Sequence, residues 1–307
     1  MQTVLITGGT GLVGKALRQY LLNEGYKIII LTRSPSHQED IKGVTYAAWD
    51  INSQSIDVKA LQESDFIIHL AGAGVIDKKW TPEYKAEILN SRTQSSKLLA
   101  DTLKQNSNKV QAIISSSAIG WYGPDKVSGH LFTEEEPAAA DFLGQTCLQW
   151  EKSIEEAASD HTRVCKLRTG IVLSKEKGAL EEFSKPLRLG VGAIIGTGRQ
   201  VISWIHLDDL CRMFHHAIKN PLRGSFNAVA PNPVTNKKLT LTLATALRGK
   251  FFIPLHIPPF VIRMKLGSRS VEVLKSTTVS ADKILSCGFT FLYPTIDSAI
   301  DQLTNNK

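Results

Sequence analysis

Over its first half the chain alternates short apolar, β-branched runs with stretches of helical periodicity. Residues 4–7 form one such run, and Leu17, Tyr20 and Leu21 then fall at helical spacing. Further runs at 27–31, 65–70, 111–115 and 163–167 predict strands, and stretches at 84–104 and from Phe142 onward predict helices. Strands separated by helices point to a parallel sheet covered on both faces, so the expected fold is α/β: a doubly wound parallel sheet of the Rossmann type. Beyond Thr169 the rhythm breaks down. Glycines crowd at Gly190, Gly192, Gly196 and Gly198, and prolines at Pro231, Pro233, Pro254, Pro258 and Pro259. The predicted organisation is a sheet domain over residues 1–168, with a returning segment near 200–220, and a smaller C-terminal lobe over 169–307.

The first strand runs through TGGTGLVG into the first helix. Gly8, Gly11 and Gly14 fall at a G-x-x-G-x-x-G spacing, with Thr10, Leu12 and Val13 between them. In that setting the early glycines permit a tight turn and the close approach of a pyrophosphate, favoured by the helix N-terminus. The last lets helix and strand pack together. A packing-only glycine turn is the alternative reading. The second strand ends LTRSP, placing Arg33 and Ser34 where a ribose 2'-phosphate would lie, while the nearest acids, Glu39 and Asp40, follow Pro35. A guanidinium there grips phosphate through paired hydrogen bonds, so NADP is expected in preference to NAD. A solvated surface arginine is the bland alternative.

Composition narrows the partners. Lys and Arg number 36 against 29 Asp and Glu, a formal charge of +7, but the cations are dispersed and form no nucleic-acid signature. A small anionic ligand, not a nucleic acid, is the expected partner. No apolar run approaches the roughly 20 residues of a membrane span, and the first residues lack the plan of a signal peptide. Cys147, Cys165, Cys211 and Cys287 are scattered without metal-ligand or redox spacing. No metal, reduced thiols and a cytoplasmic setting are therefore expected, with monomer and homodimer both open. The apolar segment 254–264 is expected to pack in the core, a lobe cover or association surface being the alternatives. Nothing in it reads as a membrane anchor.

With TGGTGLVG, AAWD ending in Asp50, IIHLAGAG after the third predicted strand and SSSAIGWYG after the fourth, the chain resembles the extended short-chain dehydrogenase/reductase superfamily. More narrowly, WTPEYKAEILNSR, DFLGQTCLQWE, LRTGIVLS, GTGRQVISWIHLDDL, NAVAPNPVTN and GFTFLYP look like the NAD-dependent epimerase/dehydratase subfamily whose C-terminal part carries a DUF1731 domain. The likeness runs almost end to end. It implies a cofactor laid along the carboxyl ends of the strands and a smaller lobe closing over the substrate. Asp50 and Ile51 would then lie near the adenine. Leu70, Ala71, Gly72 and Ala73 would border the ribose and pyrophosphate, and Ser115, Thr169, Gly170 and Val172 would lie toward the nicotinamide. Asp50 reads also as a turn cap, and Leu70 as core.

The superfamily handles protons with a serine and a Tyr-x-x-x-Lys pair. Ser117, the third of SSSA, matches the serine, with local turn bonding as its alternative. The pair is missing: aligning the helix after Phe142 places Cys147 and Glu151 at its two positions, and this Cys-x-x-Trp-Glu pattern is characteristic of the subfamily. Three substitutes follow in order. Tyr122 keeps a phenol beside the serines; Cys147 with Glu151 shares a helix face; His206 has a suitable pKa but also suits an ordering role with Asp208 or Asp209. Lys79, Trp80 and Arg92 after the third strand, and Arg199 and Gln200 past the glycine cluster, are the substrate-side candidates. Lys79 and Arg92 read equally as surface charge. The resulting expectation is an NADP-dependent oxidoreductase or epimerase acting on a polar carbonyl or a nucleotide-sugar-like molecule. The rival is an NADPH-binding regulatory or redox-sensing protein, since some relatives are named for cell division.

Overall fold

The structure, a computed structural model, describes residues 1–37, 39–127 and 129–305. Its first half comprises β1 (Thr3–Thr7), α1 (Leu12–Asn23), β2 (Lys27–Thr32), β3 (Val44–Asp50), β4 (Ser55–Ile56), α2 (Val58–Gln62), β5 (Phe66–His69), α3 (Pro82–Gln105), β6 (Ala112–Ala118), α4 (Phe142–Glu155) and β7 (Arg163–Thr169). There follow β8 (Ile171–Leu173), α5 (Ala179–Leu187), β9 (Val191–Ile195), β10 (Val201–Ile202), β11 (Trp204–His206), α6 (Leu207–Lys219) and β12 (Gly224–Ala228). The chain closes with β13 (Val234–Thr235), α7 (Asn236–Arg248), β14 (Ile253–Ile257), α8 (Pro259–Leu266), α9 (Ser270–Leu274), α10 (Asp282–Ser286) and α11 (Ile296–Asn305).

Eight strands form the main sheet in the order β12-β7-β6-β5-β1-β2-β3-β4. Every pairing is parallel except that of β4 on β3. The strand order reverses between β1 and β5, which opens a crevice at their carboxyl ends. Alternation along each strand feeds two cores. Val4, Ile6, Ile28 and Ile30 join Leu17 and Leu21 of α1 and Leu210 and Phe214 of α6 on one face. Leu5, Ile29 and Ile67 join Leu98 and Leu99 of α3 and Ile154 of α4 on the other. Burial on both faces is why these strands read as near-continuous apolar runs.

Two strands of this sheet escape the apolar-run reading. The β3 segment, VTYAAWD, holds its place through register with β2, Ile30 opposite Tyr46 and Leu31 opposite Ala47. The β12 segment, GSFNA, lies at the far edge, parallel to β7, after the crossover helix α6. The smaller lobe has its own core of Leu180, Leu187, Leu239, Leu243 and Ile300 from α5, α7 and α11. The segment expected to pack in the core does not: β14 is largely exposed and α8 has no buried residue. α7 packs against β9, the partner of β14, while Ile253, Leu255, Phe260 and Met264 stay exposed.

Gly14 shows how tightly the first turn is built. A Cβ there would lie 2.4 Å from the Gly8 carbonyl oxygen and 2.6 Å from the Gly9 Cα. Backbone cannot retreat as a flexible side-chain tip can, so Gly14→Ala is expected to destabilise the protein by about 1–3 kcal/mol, measured as a lowered urea midpoint with an unchanged slope.

Candidate functional site

The carboxyl ends of β1 and β5 lie side by side, Thr7 opposite His69. Beyond them the chain turns at Gly8, whose φ is +69° and whose absent Cβ would stand 3.0 Å from the carbonyl carbon and oxygen of Leu70. Glycine alone tolerates both conditions. Thr7 Oγ1 locks the contact by accepting the N–H of Leu70 (3.1 Å) and of Ala71 (3.2 Å). With both lone pairs used, its proton goes to His69 Nδ1 at 2.8 Å. His69 is then the Nε2–H tautomer, facing the hydroxyls of Ser96 (3.1 Å) and Ser95 (3.3 Å) on α3. Those serines donate onward to helix carbonyls. Burial, and secondarily the charge of Arg92, push the imidazole pKa down to about 3. A proton added at Nδ1 would also oppose the one already donated by Thr7.

From Gly8 the loop enters α1, with the Gly11 N–H donating to the Gly8 carbonyl at 3.1 Å. Gly11 is the N-cap; no side chain caps the helix and its first turn holds no acid. The leading amides and the helix dipole are therefore available to an anion. Thr10 is exposed, Leu12 and Val13 are half-buried and Gly14 is buried. At the end of β2, Arg33 and Ser34 are exposed. Asp50, closing β3, accepts the Asn52 N–H at 2.9 Å. That N–H, the Ser53 hydroxyl and, more weakly, Arg33 hold its carboxyl below the usual range. Ile51 packs partly buried against the core on the α3 side.

The loop after β5 is shaped from α3. Ala73 N–H donates to Ser91 Oγ, and Arg92 Nη1 donates to the carbonyls of Ala73 and Ile88, each at 2.9 Å. The guanidinium lies over the Trp150 ring at 5.0 Å and close against Gly72. Arg92 is thus half-buried and clasps the loop, not a solvated surface charge. Trp80 donates to the Val75 carbonyl at 2.8 Å and packs edge-on against Phe142, while Lys79 is exposed. In the smaller lobe, Arg199 is exposed and Gln200 donates to the Ile195 carbonyl at 3.1 Å.

Deeper, β6, α4, β7 and β12 bring together a buried charge network. Arg168 donates Nε to Glu151 Oε1 at 2.8 Å and Nη2 to Oε2 at 3.0 Å, a forked pair. Ser117 Oγ donates to Oε1 at 2.7 Å and Ser225 Oγ to Oε2 at 2.9 Å. The guanidinium stacks on Trp121 at 3.6 Å, and its Nη1 donates to the Tyr122 hydroxyl at 3.0 Å. Tyr122 in turn donates to Asn227 Oδ1 at 2.6 Å.

Of the expected proton donors, Tyr122, Cys147 and Glu151 lie in this interior, and His206 is buried elsewhere. Burial pushes the Tyr122 phenol up to about 12 against the opposing pull of Arg168. Burial, and then Glu151, push the Cys147 thiol up to about 12; its Sγ lies 3.7 Å from the Ala118 carbonyl oxygen. Glu151 is ion-paired with Arg168, so it is not held ready as a partner for the thiol. His206 caps α6 by accepting the Asp208 N–H at 3.1 Å, and its Nε2 meets Gln302 Oε1 at 2.9 Å, which ties α6 to α11. Ser115 donates to the Ser116 carbonyl and Thr169 to the Leu167 carbonyl. Gly170 N–H donates to Ala228, and a Cβ there would lie 2.6 Å from the Ser203 oxygen; Val172 pairs with Ile205 in β11.

Residues 4–229 match the NAD dependent epimerase/dehydratase family. The chain belongs to that family. Residues 257–303 of this family member match a further domain of unknown function, DUF1731. An epimerase family protein of Staphylococcus haemolyticus is 36% identical over 305 residues, 99% of both chains. The human epimerase family protein SDR39U1, isoform 2, solved with NADPH, is 28% identical and superposes with a TM-score of 0.87 over 100% of both chains. A nucleoside-diphosphate sugar epimerase from Corynebacterium glutamicum is 31% identical with a TM-score of 0.78, over 99% of this chain and 58% of that longer one. No described helix of this epimerase-family chain is long and apolar enough to cross a membrane. Among the described residues no group of His, Cys, Asp and Glu is arranged to hold a metal.

Thr7, His69, Arg168 and Asn227 are the site's organising residues that sequence reading passed over. Arg168 had a legible signal. Lys166 and Arg168 alternate on one face of β7, and Glu151 and Glu155 recur at i, i+4 on α4, matching cations to acids one for one.

Two outcomes are expected. Unfolded His69 takes up a proton near pH 6.5, whereas folded His69 resists to about 3. Between those limits the unfolded chain binds more protons, so stability falls as pH falls. The share due to His69 is roughly 2–3 kcal/mol by about pH 4.5. Urea unfolding of wild type and His69→Gln at neutral pH and at about pH 4.5 isolates it as the difference in slope. Separately, Glu151→Gln strands the buried Arg168 cation and should cost about 3–5 kcal/mol, while Glu151→Leu with Arg168→Met recovers most of that loss.

Proposed function

We propose that this protein binds NADP(H) and uses it as an oxidoreductase or epimerase on a small molecule, in a reducing, cytosolic setting. The observation that carries the reading is the glycine cradle at Gly8–Gly14 beneath a helix N-terminus with neither a side-chain cap nor an acid. A dinucleotide pyrophosphate matches those donors. Arg33, exposed at the end of β2, supports the phosphorylated coenzyme, as does the NADPH in the human relative's structure. Leu70 to Ala73 would flank the cofactor. Hydride chemistry is what the coenzyme supplies when bound; the chain's own residues would seat it, exclude water and orient the substrate.

The second reading, an NADPH-binding regulatory or redox-sensing protein, is favoured by one observation. Ser117, Tyr122, Cys147 and Glu151 are all buried and committed to partners inside the protein. A proton relay at neutral pH asks for a group that titrates near neutrality.

Calorimetry is expected to show NADPH binding roughly tenfold or more tightly than NADH, with Arg33→Ala bringing the two toward parity. Equal or tighter uptake of NADH sinks the NADP assignment. Incubating the protein and deuterium-labelled NADPH with a metabolite pool then separates the readings. Label transfer that Ser117→Ala abolishes, at unchanged NADPH affinity, marks chemistry; tight NADPH binding without transfer marks the regulatory role.

A further inference from the structure

The smaller lobe presents an apolar wall that neither reading uses. The parallel register of β14 on β9 sets Ile253 opposite Val191, Leu255 opposite Ala193 and Ile257 opposite Ile195. Paired residues share a face, so these six line one side of the two-stranded sheet. On the other side Ile194 of β9 is buried, while Pro254 and His256 of β14 are exposed. On the first side Ile253 is 71% exposed, and the following α8 adds Phe260 at 59% and Met264 at 79%. Exposed apolar side chains gathered within so short a stretch of a folded domain mark a place where something binds.

Its position and charge say what. At its start α8 meets the glycine turn after β9, where Pro259 lies beside Gly196. Just past its end, Arg269 donates to the Ile76 carbonyl in the loop after β5. The next residues reach the loop after β6, where Ser276 accepts the Asp125 N–H at 2.9 Å. Thus α8 is a strap joining the smaller lobe to the loops at the carboxyl ends of β5 and β6, with no core of its own. From Arg248 to Val271 the chain holds Arg248, Lys250, Arg263, Lys265 and Arg269 and not one Asp or Glu.

We propose that the substrate of this site is an anionic amphiphile. Its apolar chain or ring lies on the β9–β14 face and the strap, and its anionic group is met by the cations of α8 and Arg269. The substrate class rests on the reading of this face as the substrate side of an NADP(H) site. Two copies meeting through this face would set cation against cation. A strap tethered at both ends is held against its own domain, whereas a membrane-inserting element projects free of it.

The test is calorimetry with decyl phosphate, kept below micelle formation, on protein saturated with NADPH. Decyl phosphate is expected to bind roughly tenfold or more tightly than inorganic phosphate, to weaken with salt, and to lose that advantage in Phe260→Ser/Met264→Ser. NADPH affinity and thermal midpoint should not change in the variant. UDP-glucose should bind no better than inorganic phosphate. The proposal is overturned if the alkyl chain adds nothing, if the double variant keeps full affinity, or if UDP-glucose binds more tightly than decyl phosphate. It is equally overturned if phosphatidylglycerol vesicles retain the protein while monomeric decyl phosphate does not bind, or if size exclusion shows a dimer that the same variant dissociates. NADPH titrated alone reports on the underlying cofactor reading, so failure of one is not mistaken for failure of the other.

Discussion

Everything at this site depends on two loops being allowed to touch. The Gly8 turn and the Leu70 carbonyl stand at a separation that no side chain at residue 8 would permit. One threonine hydroxyl holds them there by accepting two amides from the second loop while donating to His69. Because the histidine is locked in one tautomer and anchored on Ser95 and Ser96, α3 is fixed against the same seam. The α1 amides, the Ala71–Ala73 loop and the Arg92 clasp on that loop all take their positions from this contact. Had Thr7 been an apolar β-branched residue, the buried Ala71 amide would have lost its acceptor, while the Leu70 amide would keep only the Thr7 carbonyl at 3.2 Å.

The second organising feature is a relocation of charge. In the superfamily pattern the cation is a lysine on the helix, four residues from a tyrosine. Here the helix supplies the acid, Glu151, and the cation arrives from the adjoining strand as Arg168. A forked arginine can satisfy a carboxylate, a phenol and a backbone carbonyl together, and its flat face stacks on Trp121. The consequence is mechanical: Ser117 and Tyr122 become members of a strut that ties β6, α4, β7 and β12 together. Such a buried pair adds little net stability over apolar packing, yet it is costly to break from one side. It also fixes which face of β12 meets the sheet, since Asn227 and Ser225 contribute to it from that strand.

The alternation of apolar runs and the glycine spacing were legible because each rests on a local rule: sheet burial, and a steric requirement at φ > 0. What stayed hidden depends on pairing across the fold. GSFNA carries too few apolar residues to declare itself a strand, and the alanines of VTYAAWD dilute its β-branched and aromatic signal; register with β7 and β2 makes them strands. Arg92 looked like a surface charge because nothing in its neighbourhood of sequence shows that the carbonyl of Ala73 will come within reach. Tyr122 and Cys147 looked available for the same reason, since burial is contributed by α4, β7 and β12 together. Segment 254–264 fails in the opposite sense: an apolar composition is the same for a core strand and for an exposed wall, and only what packs on it decides between them.

These features divide the molecule's charge in a way that bears on recognition. The sheet domain offers backbone amides and a helix dipole at the start of α1, with neither a side-chain cap nor an acid in the first turn. The stretch from Arg248 to Val271 instead concentrates cations on an apolar ground. Backbone donors select the shape of a pyrophosphate; long flexible cations beside exposed aliphatic side chains select charge and hydrophobic reach with little regard for shape. The two kinds of surface use different physics and are carried by separate elements, the α1 N-terminus in the sheet domain and the strap beside the smaller lobe.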